Sequence, residues 1–113
     1  MTKTKIMYME LKKDESHNYN DRGEARIGRV TFSKSGRSII YKGKMFLRTR
    51  DPAYANYIDA ETREVYWISG PKKDGTDRYY WGKTAPVLID EDVREEYWTS
   101  IRKKPERVQE TRF

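Results

Sequence analysis

From Lys5 to Ser69 the sequence is a succession of short β-compatible runs, each closed by turn-forming residues, and this rhythm restricts the chain to a small antiparallel β structure. The clearest unit is Ser38 to Tyr41 and Lys44 to Arg48, joined across Lys42-Gly43, a two-residue loop whose glycine can take positive φ. That turn sets the register: Ile39 faces Phe46, Ile40 faces Met45, and both faces of the hairpin are expected to be partly covered.

Lys5 to Lys12 reads as a first strand with apolar groups on both faces, hence a central one. Lys13 to Gly23 loses all periodicity and reads as a flexible surface loop. In Glu24 to Ser33, Ala25 and Ile27 share one face while Val30 and Phe32 fall on the other. A bulge at Gly28 would reset the count and turn Arg26, Arg29 and Thr31 outward together. Tyr54 to Asp59 and Glu64 to Ser69 form a second hairpin across Ala60 to Arg63. Arg78 to Trp81 is a short aromatic strand and Val87 to Ile89 a last extended piece.

One helix is announced, over about 91–103. Asp90 is placed to cap it, Glu91 and Asp92 complement the positive end of its dipole, Arg102 to Lys104 the negative end, and Pro105 stops it. Val93, Tyr97 and Ile101, with Trp98 beside them, make one apolar stripe. Residues 106–113 read as a loose tail. The fold expected is a mainly β single domain, 1–113: a bent antiparallel sheet or small SH3-like barrel with one C-terminal helix.

Composition bounds the function classes. Charged residues make up 37% against 35% apolar, so the small core must lean on the fifteen aromatics: nine Tyr, three Trp and three Phe. The absence of cysteine excludes a disulfide framework, a thiol nucleophile and a Cys-based metal site. No apolar run suits a signal peptide or a membrane span, so a cytoplasmic location of bacterial type is expected. The lone His17 sits in the flexible-looking loop with no inferable serine and carboxylate beside it. Asp90, Glu91, Asp92, Glu95 and Glu96 supply oxygens for a divalent cation, but the same residues are what a helix start favours, and no ligating histidine joins them. Gly70 to Thr76 lacks the Lys-Ser/Thr of a phosphate-binding loop and leads to a strand rather than a helix. No enzyme and no cofactor is expected.

The strongest functional signal is charge. Between Arg22 and Arg50 stand nine Lys or Arg against the single acid Glu24, within a chain whose net charge is +6. Arg26, Arg29, Arg37, Lys42, Lys44 and Arg48, with Lys72 and Lys73 from the later loop, are the candidates for a polyanion-binding surface. Trp67, Tyr80 and Trp81 are the candidates for stacking, because single-stranded nucleic acids are held by cations on phosphates and aromatic faces under bases. The expected function is a non-catalytic binding module for nucleic acid or another polyanion. The alternative is a protein-interaction module of accessory or immunity type that meets an acidic protein through the same surface.

Three blocks, Arg22 to Lys34, Tyr66 to Gly75 and Ile89 to Trp98, resemble a group of short uncharacterised bacterial proteins. Some of these bear the label of 1-deoxy-D-xylulose-5-phosphate synthase, a thiamine-diphosphate enzyme. This chain is too short for the two domains that hold that cofactor and lacks the Gly-Asp-Gly leading to a downstream Asn, so the resemblance implies no synthase activity.

Overall fold

Strand β1 (Lys3–Lys12) is bonded along both edges, and this closes the sheet on itself. In the computed structural model, which describes residues 3–12, 24–51, 55–77 and 86–113, β1 pairs with β2 (Ala25–Phe32) on one side and β6 (Val65–Ser69) on the other. Between them run β3 (Ser38–Tyr41), β4 (Lys44–Arg48) and β5 (Tyr57–Asp59), each antiparallel to its neighbour. The result is a closed six-strand antiparallel barrel of SH3-like type. A seventh strand, β7 (Val87–Ile89), joins in parallel to Ala25–Ile27, while β3 takes the same edge of β2 at Thr31 and Phe32.

The β3–β4 register is as the turn chemistry predicts, with Ile39 opposite Phe46 and Ile40 opposite Met45. Both turn residues take positive φ, 47° at Lys42 and 83° at Gly43, the geometry that suits the right-handed twist of a hairpin. Its outward residues Ile40 and Met45 are only partly covered, at 43% and 45% exposed.

The bulge at Gly28 does not exist. Pairing with β1 runs unbroken from Lys3–Phe32 to Glu10–Ala25, and the change of buried face has another cause. Val30 and Phe32 pack inside the barrel with Met9, Ile39, Phe46, Tyr57 and Ile68. Ala25 and Ile27 lie on the outside of the same strand, beneath a second core made with Ile6, Tyr8, Val87, Ile89, Val93, Tyr97 and Trp98. β1 serves both cores in the same way, which explains its two apolar faces. Without the bulge Arg26 shares the inward face with Gly28 and Val30, so it does not line up with Arg29 and Thr31.

The helix covers the second core but is not uniform. It starts as a 3-10 turn (Glu91–Val93), passes through one α-helical turn (Arg94–Glu96) and widens into a π-type turn (Tyr97–Ile101). Lys103 (φ 57°) ends it, with the Lys104 N–H donating back to the Trp98 carbonyl at 2.7 Å. Val93, Tyr97 and Trp98 are fully buried, as their spacing predicts. The tail read as loose is tied down: Phe113 exchanges both backbone bonds with Val87, the Thr111 carbonyl accepts from Ile89, and the Phe113 ring stacks on Tyr97 at 5.6 Å. The aromatic strand expected over 78–81, the 13–23 loop and His17 lie outside the described residues. Among the described residues, no helix is long and apolar enough to cross a membrane.

Candidate binding surfaces

Gly28 has a positional purpose other than a bulge. A Cβ there would stand 2.6 Å from Asp90 Oδ2, 2.7 Å from Tyr41 Cε1 and 3.0 Å from the Met9 methyl. The glycine makes room for the Asp90 carboxylate, which enters beside β2 between β7 and β3, its own N–H donating to the Ile27 carbonyl at 3.0 Å. Asp90 occupies the helix N-cap position, yet its side chain caps nothing. Instead it is buried and accepts from Arg26 Nη1 at 2.7 Å and from the Tyr41 hydroxyl, with Lys42 Nζ at 3.3 Å. Burial works against the charged form of Arg26, but Asp90 and Glu24, the latter at 3.2 Å, more than offset it and hold its pKa above the ordinary value. Burial, then the hydrogen bond and charge of Asp90, push the Tyr41 phenol well above its usual range.

This cluster borders one mouth of the barrel, where Met9, Leu11, Glu24, Arg26, Tyr41, Lys44 and Tyr66 line a hollow of about 120 Å³. The same end holds Asp59. Burial pushes its carboxyl up, but the backbone N–H groups of Glu61 and Thr62, donating at 2.8 and 3.1 Å, outweigh that and set it below the usual range.

The eight candidate cations therefore do not form one field. Arg26 and Lys42 converge on Asp90, with Glu24 also on Arg26, and Arg29 pairs with Glu96 of the helix at 2.6 Å, so three acids, two of them from the second half of the chain, offset three of the cations. Lys44 lies at the mouth, while Arg48 is at the other end of β4, roughly 13 Å away at about 3.3 Å per residue, over the Tyr57 ring. Arg37 is beside Arg48, whose N–H donates to its carbonyl at 3.1 Å. Arg37, Lys44 and Arg48 make no ion pair among the described residues.

Lys72 and Lys73 are exposed on the loop after β6. Its own carboxylates brace that loop: Asp77 accepts from the Lys72 N–H at 2.6 Å and Asp74 from Thr76. Gly75 presses on the Arg102 guanidinium, which itself lies among the rings of Tyr97, Trp98 and Phe113, where it contributes to the core rather than to the surface charge at the helix end. Of the stacking candidates, Trp67 is 39% exposed on β6, and Tyr80 and Trp81 lie outside the described residues.

No family model matches the chain, and no curated protein or solved structure matches it.

Two features escaped the sequence reading. Alternation alone signalled one of them, an outward apolar band across four strands. Ile40 is opposite Met45, Leu47 opposite Ile58, and Ile58 opposite Val65, with Met45 and Trp67 two residues along the same faces. Ile40, Met45, Leu47 and Trp67 are all exposed, although each is a large apolar group. The other is a groove on the helix side, floored by Ile6, Met7 and Pro71 and bordered by Lys5, Arg29 and Lys73. No local pattern announced it, since its residues come from distant segments. Among the described residues no three His, Cys, Asp or Glu side chains gather as a metal site would require.

Proposed function

We propose that the protein is a non-catalytic interaction module that docks an acidic protein surface on the outer face of β3 to β6. The observation that carries this reading is the band of Ile40, Met45, Leu47 and Trp67, exposed at 38–45% and bridged by Ile58 and Val65. Exposed apolar residues are ordinary when single, but a run continuous across four strands leaves water against surface that a partner can cover. Lys44 and Arg48, with Arg37 beside Arg48, alternate with Met45 and Leu47 and so stand at the two ends of the barrel next to this face rather than on it. Arg37 and Arg48 make no ion pair among the described residues, so a partner carboxylate would be a new pairing for them.

The second reading, nucleic acid or another polyanion, draws on the same free cations and on the exposed Trp67 indole as a stacking face. It is weaker because Arg26, Arg29 and Lys42 are already matched by Asp90, Glu24 and Glu96. One experiment separates the two. A photo-crosslinking residue at Met45, introduced in the cells that make the protein, should give a discrete protein adduct. Excess wild-type chain should compete it away and the Leu47→Glu variant should not. Absence of an adduct, together with salt-sensitive binding of a random oligonucleotide that Leu47→Glu leaves intact, would replace the protein-partner reading by the polyanion one.

A further inference from the structure

The groove on the helix side has the size and chemistry of a ligand site. Its volume is about 520 Å³, within the roughly 300–1,000 Å³ that small-molecule pockets occupy. It is built from four parts of the fold. Register places Arg29 opposite Ile6, and the Tyr8–Ser69 pairing brings Gly70 and Pro71 alongside the start of β1. Glu96, Ser100 and Ile101 come down from the helix. The floor is apolar, whereas the border carries Lys5, Arg29 and Lys73 against the one carboxylate of Glu96, a net of +2.

We infer that this groove binds a small anionic amphiphile: a carboxylate or phosphate head on a short apolar body. Glu96 engages one Arg29 nitrogen at 2.6 Å and so orients the guanidinium. A guanidinium has five N–H donors in a fixed fork, so most remain for a ligand oxygen. Lys5 and Lys73 are exposed, line the groove from separate segments and make no ion pair among the described residues. Thr4 and Ser100 add hydroxyls at the border. The apolar body would lie on Met7, Pro71 and Ile101, which the fold leaves only partly covered. Charge selects the head and the floor selects the tail, so neither a bare anion nor an apolar cation satisfies both. This site shares no lining residue with the β3–β6 apolar band and stands independently of the function proposed there.

Octanoate, octylammonium and inorganic phosphate serve as probes, titrated into the uniformly 15N-labelled protein and followed by amide chemical shifts. Octanoate should bind at least tenfold more tightly than either of the others and move the amides of Thr4 to Met7, Gly70 and Glu96 to Ile101. The Lys5→Ala, Lys73→Ala double variant should lose tenfold or more of that affinity at unchanged melting temperature, while Leu47→Glu should leave it alone. Equal binding of octanoate and octylammonium would overturn the role of the cations, and phosphate binding as tightly as octanoate would overturn that of the floor. Shifts confined to Met45 and Leu47, or an unaffected double variant, would remove the site altogether.

Discussion

Replacing Gly28 by alanine adds one methyl group at a crowded backbone position of β2, and the structure sets what that costs. The new Cβ would lie 2.6 Å from Asp90 Oδ2 and 2.7 Å from Tyr41 Cε1, each well inside ordinary contact, so something must move by several tenths of an ångström. The glycine needs no positive φ, so steric crowding is the whole effect. Asp90 cannot retreat freely: Arg26 holds it at 2.7 Å and the Tyr41 hydroxyl donates to its other oxygen. Overpacking of this kind costs roughly 1–3 kcal/mol, and weakening a hydrogen bond to a buried charge adds about 1.5 kcal/mol. A total near 3 kcal/mol is a large share of the roughly 5–15 kcal/mol that stabilises a domain. With an unfolding entropy of about 2.1 cal/mol/K per residue, it lowers Tm by about 12 °C. Urea denaturation of wild type, Gly28→Ala, Asp90→Ala and the double variant closes a thermodynamic cycle. Alanine at 28 should cost about half as much once the carboxylate is gone, with Tyr41 accounting for the remainder. If Gly28→Ala is stable to within about 0.5 kcal/mol, or its cost is the same with and without Asp90, the account of that glycine is wrong.

Trp98→Ala should destabilise by about 3–5 kcal/mol, because the ring is fully buried, donates from Nε1 to the Glu110 carbonyl at 2.9 Å and lies under Arg107. Lys42→Ala should cost no more than about 1 kcal/mol despite its contact with Asp90, since its side chain is 62% exposed; equal denaturation midpoints for these two variants would refute the assignment of the helix face. Above pH 10 stability should fall. Burial, partly opposed by Arg102, pushes Tyr97 up to about 12, and burial with Asp90 raises Tyr41 further, so the native state keeps protons that the unfolded chain has released. Each group then removes up to about 1.4 kcal/mol per pH unit, and Tyr41→Phe should flatten the loss between pH 10 and 12; a slope unchanged from wild type would contradict the raised Tyr41. Phe113→Ala should cost about 2 kcal/mol and speed hydrogen exchange at the Val87 and Ile89 amides, which donate to Phe113 and Thr111, whereas unaltered exchange there would mean that the tail does not brace β7.

Local chemistry was sufficient wherever a feature depended on near neighbours in the chain. Lys42-Gly43 dictates a tight turn, and with it the register of Ile39 on Phe46, because the turn and its flanking pairs lie within a few residues. The acidic start of the helix and the spacing of Val93, Tyr97 and Trp98 likewise announce both an element and its buried side. At Gly28 the same reasoning misled. Two apolar pairs of opposite parity suggested a slip in one face, whereas β2 is sandwiched between two cores and needs no slip.

The amino-acid order by itself thus determined a mainly β chain with one terminal helix, where its hairpin turns, and how many cations it carries, since those follow from rotamer, turn and periodicity preferences acting over a few residues. Only the tertiary structure decided what the cations face. Asp90 reaches Arg26 across 64 residues and Glu96 reaches Arg29 across 67, so what looked like an uninterrupted positive stretch became two neutralised clusters and a few free charges. Charge interactions depend on distance through space, and barrel closure sets those distances.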